Sequence, residues 1–71
     1  MTLKEFINHL AHKSLKIKII CYDYYICCYV TIYEGTVGEL LHWIQYPKFM
    51  ELIVECVNPE DKNFFEVSIN G

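Results

Sequence analysis

The side chains with chemistry to offer are four cysteines, three histidines and nine carboxylates. Structural zinc sites pair their ligands at short spacings such as Cys-x-x-Cys. Here Cys27 and Cys28 are adjacent, which in a strand sends them to opposite faces, and Cys21 and Cys56 stand alone. All four are expected to be small buried hydrophobes with free thiols. His9 and His12 are three residues apart and could share a metal on a helix, but no third ligand accompanies them. They read as solvent-side histidines, and His42, beside Trp43, takes no role. No metal or cofactor is expected.

Catalysis finds little support. A Cys–His pair would need a pocket, a base in reach and an oxyanion site. Gly35 and Gly38 do not make a phosphate loop. Glu51 and Glu55 share a strand face with Ile53 and read as a solvated or interfacial pair, not a catalytic dyad. The expectation is a non-enzymatic protein.

Those side chains must be positioned by a single domain of 71 residues, near the lower limit for a self-sufficient core. Yet 54% of the residues are hydrophobic and 15% aromatic, which excludes a disordered chain. The formal charge is −3, unevenly spread. Residues 1–20 hold four lysines against Glu5, whereas residues 21–71 hold Lys48 and Lys62 against eight carboxylates. An acidic chain without arginine is a poor general binder of DNA or RNA. No signal peptide is evident at the N-terminus. The apolar stretch 19–33 is too short for a membrane-spanning helix and contains Asp23. A cytoplasmic protein without a membrane partner is the default.

Hydrophobic periodicity gives the order αββαββ. Thr2 and Glu5 have capping-box spacing, and Leu3, Phe6, Ile7 and Leu10 make one apolar face, predicting a helix over 3–11. The period then falls to two. Leu15, Ile17, Ile19 and Cys21 alternate with Lys16, Lys18, Ile20 and Tyr22 in a first strand. Asp23, Tyr24 and Tyr25 are the expected turn into a second strand over 26–33. Thr36 and Glu39 cap a second helix over 37–45, and Pro47 disfavours helix at Tyr46. A third strand over 50–57, a polar turn over 58–63 and a fourth strand over 64–69 complete the chain.

The expected fold is therefore α+β, a four-stranded, mainly antiparallel sheet with two short helices on one face. A small curled β-barrel with two helices is the alternative. The core would take Leu3, Phe6, Ile7, Leu10, Ile17, Ile19, Val30, Ile32, Val37, Leu40, Leu41, Ile44, Leu52, Val54, Val67 and Ile69. The second face of the sheet would carry Ile20, Tyr22, Cys27, Tyr29, Tyr33, Ile53, Val57 and Phe64, diluted by Lys16, Lys18, Glu51, Glu55 and Glu66. No charge falls between Tyr24 and Tyr33. Such a surface is expected to be buried by another chain, and a homo-oligomer is the expected state. Tyr22, Tyr24, Tyr25, Tyr29, Tyr33 and Ile53, with Glu51, Glu55, Glu60 and Asp61, are the candidate interface residues. Tyrosine suits protein interfaces and can also stack on bases.

The chain resembles small uncharacterised proteins encoded by phages and prophages of Gram-positive gut bacteria. The resemblance rests on the opening Met1-Thr2-Leu3-Lys4-Glu5-Phe6-Ile7, the alternating strand 16–21 followed by Tyr22-Asp23-Tyr24, the strand end Tyr33-Glu34-Gly35, and the hairpin 50–69. Residues 25–30 depart from it, being Tyr-Ile-Cys-Cys-Tyr-Val where a polar turn is usual. The resemblance implies a phage accessory protein in a bacterial cytoplasm. Its expected function is non-enzymatic inhibition of an antiviral defence system, as an anti-CRISPR-like binder of a host protein. In that reading the acidic half occupies a basic nucleic-acid channel. Two alternatives remain open. One is an oligomeric sponge that holds a small nucleotide signal between subunits, with Lys16, Lys18 and Tyr29 as contacts. The other is a structural or assembly module of the phage.

Overall fold

The computed structural model describes residues 1–10 and 12–70. Its elements are α1 (Leu3–Asn8), β1 (Lys16–Asp23), β2 (Cys28–Thr36), α2 (Val37–His42), α3 (Tyr46–Phe49), β3 (Ile53–Asp61) and β4 (Phe64–Asn70). The strands form one sheet in the order β2-β1-β4-β3. Both hairpins are antiparallel, while β1 and β4 run parallel at the centre. The α+β expectation holds, with a third short helix added. The barrel alternative does not hold, because β2 and β3 remain separate edges among the described residues.

α1 starts where the capping box places it. The Glu5 amide donates to Thr2 Oγ1 at 3.2 Å, and the Thr2 amide donates to Glu5 Oε1 at 3.0 Å. These bonds favour the ionised carboxylate and hold the Glu5 carboxyl below its ordinary range. The helix ends at Asn8, shorter than expected, and Ala11 lies outside the described residues. The preceding residues extend the sheet instead. The Val54 amide donates to Met1 O and the Leu3 amide to Leu52 O, so Thr2 bridges to Ile53.

Between helices and sheet lie Leu3, Ile7, Ile17, Ile19, Val37, Leu40, Tyr46, Val67 and Ile69. β1 and β4 contribute from register-paired positions, Ile17 beside Phe65, Ile19 beside Val67 and Cys21 beside Ile69. Three expected core residues are neither in it nor packed against it, and of these Val30 is half-buried beside an open groove. Leu41, in the last turn of α2, is partly exposed, and Ile44 is 86% exposed because α2 stops at His42 and leaves it beyond the helix.

A third helix occupies Tyr46–Phe49, where Pro47 was expected to disfavour helix at Tyr46. Pro47 sits in the first turn, where its missing N–H costs nothing. The helix buries Tyr46, and this desolvation, with the Glu51 carboxylate second, raises the phenol above its ordinary range. A phenol raised by folding contributes stability that is complete below the unfolded value of about 10 and lost as pH rises through the folded value. Urea unfolding should therefore show stability falling above about pH 10, and less steeply in Tyr46→Phe. Equal pH profiles for the two proteins would contradict this.

The β1–β2 turn is one step later than expected. Asp23 pairs with Cys28, leaving Tyr24, Tyr25, Ile26 and Cys27 as the loop. Asp23 Oδ1 accepts from the Tyr25 amide at 2.8 Å, a side-chain turn that substitutes for glycine at the start. At the far end Cys27 has a φ of 56°, a left-handed conformation that disfavours any Cβ. Cys27→Gly should raise stability by about 1 kcal/mol, read from the urea midpoint. No gain would mean that the strain is absent.

Candidate functional site

Three bulges decide which residues share a face. β2 shifts register against β1 between the pairs Ile19–Tyr33 and Ile20–Thr31, making Ile32 the extra residue. Across from β4, the shifts in β3 fall between Val54 and Cys56 and between Pro59 and Asp61, making Glu55 and Glu60 the extra residues. Each insertion flips the inward–outward alternation beyond it.

This corrects the expected second face. Tyr33 and Val57 pair with Ile19 and Val67 and pack against the core. The Tyr33 ring crosses Gly35, where a Cβ would stand 2.8 Å from its hydroxyl oxygen, and the hydroxyl donates to Thr36 O at 2.8 Å. Desolvation, aided by Glu39, raises the Tyr33 phenol above its ordinary range. Cys27 belongs to the turn, Glu51 precedes β3, and Glu55 sits on a bulge. The open face instead pairs Lys16 with Thr36, Lys18 with Glu34, Ile20 with Thr31 and Tyr22 with Tyr29 on β1 and β2. On β4 and β3 it carries Phe64, Glu66, Ser68 and Asn70, with Ile53, Cys56 and Asn58. It is thus mixed in polarity, and much of the apolar excess inferred for it is absent.

The cysteine expectation also changes. Cys27, Cys28 and Cys56 are exposed and Cys21 is half-buried. Strand periodicity misplaced them because Cys27 and Cys28 stand at the loop exit and Cys56 lies beyond a bulge. No group of three or more His, Cys, Asp or Glu among the described residues is placed to hold a metal ion.

The tyrosines divide into two sets. Tyr22 meets Tyr24 and Tyr29 edge-on, with ring centroids 4.8 and 5.3 Å apart. Tyr25, fully exposed, and Tyr24, 75% exposed, project from the loop with Ile26. Tyr33 joins a different series with Trp43 (5.2 Å), which stacks on Phe49 (5.6 Å). Phe49 closes an open groove of about 350 Å³ whose other walls include Cys21, Tyr22, Val30 and Ile32. Sequence reasoning missed it along with α3.

The acidic residues lie on the other edge. Glu55, Glu60 and Asp61 are exposed on β3, and Glu51 is exposed just before it. β2 and β3 are separated by two strands, so the acidic and aromatic rims stand about 14 Å apart. The candidate interface residues therefore do not form one patch.

The candidate nucleotide contacts are also separated within one chain. Lys18 stands in register between Glu34 and Glu66, with Nζ 3.9 Å from Glu66 Oε2. Tyr29 pairs with Tyr22, four residues along β1 from Lys18, or about 13 Å at the rise of a strand. Lys16 borders a separate open cleft of about 340 Å³ with His12, Ser14, Leu15, Asp61, Asn63 and Phe64.

Fold and surface together define an α+β domain with an open mixed sheet, one aromatic rim and one acidic rim. Among the described residues no helix is long and apolar enough to cross a membrane. Comparisons with protein-family models, curated proteins and solved structures return no match.

Proposed function

We propose that this protein acts by docking, as a non-enzymatic inhibitor of a bacterial antiviral defence component, with the β3 edge against a basic nucleic-acid channel of a host protein. The observation that carries this reading is the acidic rim. Its carboxylates are exposed, and the one ion pair among the described residues, Lys18–Glu66, lies elsewhere. Two of them, Glu55 and Glu60, stand at bulges, where the strand gives up pairing and projects a side chain. A row of unneutralised carboxylates on a stiff sheet edge presents charge in the manner of a phosphate backbone. Electrostatic complementarity of this kind speeds encounter and excludes acidic partners.

The choice of defence as the target follows from the expected kinship with small phage proteins, which rests on residues 1–7, 16–24, 33–35 and 50–69. The nucleotide-sponge alternative gains less support, because Glu34 and Glu66 flank Lys18. The test reverses Glu51, Glu55, Glu60 and Asp61 to lysine and measures both partner binding and phage survival in a defended host. Loss of both is expected. Retention of both would remove the channel-blocking reading.

A further inference from the structure

We infer that β2 is the docking edge for a second copy of this chain, antiparallel to itself across a twofold axis, joining two four-stranded sheets into one of eight strands. The two edges of the sheet are treated differently. The β3 edge is covered at its start by Met1–Leu3, carries Pro59, and is broken by bulges at Glu55 and Glu60. Each of these features obstructs pairing with another strand. The β2 edge carries none of them except the bulge at Ile32. Its nine residues leave backbone N–H and C=O groups facing outward, with Glu34 as the one charged side chain.

The charge pattern is compatible with a second copy as the occupant. Any antiparallel self-pairing centred from Tyr29 to Ile32 sets Glu34 of one copy opposite a residue between Tyr24 and Val30 of the other. None of those residues is charged, so no like charges meet. With the axis at Val30, residues 28–32 of the two copies pair, and the 24–27 turn of each copy lies beyond the paired strands, beside the 33–36 end of the other copy's β2. The exposed parts of Tyr24, Tyr25 and Tyr29 amount to more than two whole rings per copy. At roughly 150–250 Å² per ring, the tyrosines of two copies offer about 700–1,100 Å². The paired backbone adds to this and brings the total toward the roughly 1,200 Å² of a stable interface. The acidic β3 edges lie at the two outer rims of the dimer, free for the docking proposed above.

Sedimentation and amide hydrogen exchange on the purified full chain test this. The wild type should sediment at twice the 8.5 kDa of one chain, with slowed exchange over residues 28–34 that depends on concentration. Thr31→Lys places like charges near the axis and should weaken dimerisation at least ~10-fold without changing the circular dichroism. Tyr29→Lys is the second variant and should act alike, while Glu60→Lys on β3 should leave the dimer intact. A monomer at every concentration, or a dimer that survives both β2 variants and falls to Glu60→Lys, would overturn the inference. A monomer that pairs β2 only with a foreign peptide strand would overturn it too.

Discussion

Replacing Ile19 with alanine should cost about 2–5 kcal/mol, whereas the same replacement at Ile44 should stay within about 0.5 kcal/mol. Ile19 is fully buried at the centre of the sheet, between Tyr33 on β2 and Val67 on β4. Removing three carbons there leaves a cavity that two strands and the overlying helix layer cannot close, since the neighbours are held in register on both sides. Ile44 has 86% of its surface in water and leaves no cavity. The scale of the protein makes the contrast sharp. A chain of 71 residues has a total stability of roughly 4–11 kcal/mol, so Ile19→Ala consumes a large fraction of it. In thermal unfolding followed by circular dichroism, that corresponds to a fall of about 10–30 °C. Similar midpoints for the two variants would mean that the sheet centre is not where the packing lies.

Reversing Glu51, Glu55, Glu60 and Asp61 together should weaken partner binding at least ~100-fold while leaving the fold intact. All four are exposed, so their replacement removes no packing and strands no buried charge. At an interface the balance differs, because close charge pairs are partly desolvated and each reversal replaces attraction with repulsion. The wild-type complex should also weaken as salt is raised, since the carboxylates act over a range set by screening. Isothermal titration at two salt concentrations reads both effects. Binding that ignores both salt and charge reversal would place the contact on another surface.

Local rules exposed much of this architecture in the sequence, and long-range pairing hid the rest. The Thr2–Glu5 cap, the 16–23 alternation and the 64–70 strand need only neighbours along the chain, and each stands close to its expected bounds. The parallel contact of β1 with β4 joins residues nearly fifty apart and leaves no local signature. Bulges leave none either. Ile32 and Glu55 look like ordinary members of alternating strands, and their insertion flipped Tyr33 and Val57 from the open face to the core. Cys27 misled for a related reason. A left-handed loop residue is usually glycine or asparagine, and here it is a cysteine inside an apolar run.

For the candidate site, the tyrosines and the carboxylates were legible as residues but not as two rims. Their separation depends on strand order, which periodicity does not encode. The groove closed by Phe49 was hidden with α3, since a four-residue helix containing proline carries too few positions to show a period.

Docking through the acidic rim is tested most directly by native mass spectrometry of the tagged full chain recovered from infected cells, beside its four-fold charge-reversed variant. The wild type should be recovered in complex with a nucleic-acid-binding host protein stripped of its nucleic acid, and added polyanion should displace it. The variant should be recovered without that protein. A wild-type chain free of any host protein, or a complex that persists through both the charge reversal and the polyanion, would contradict it.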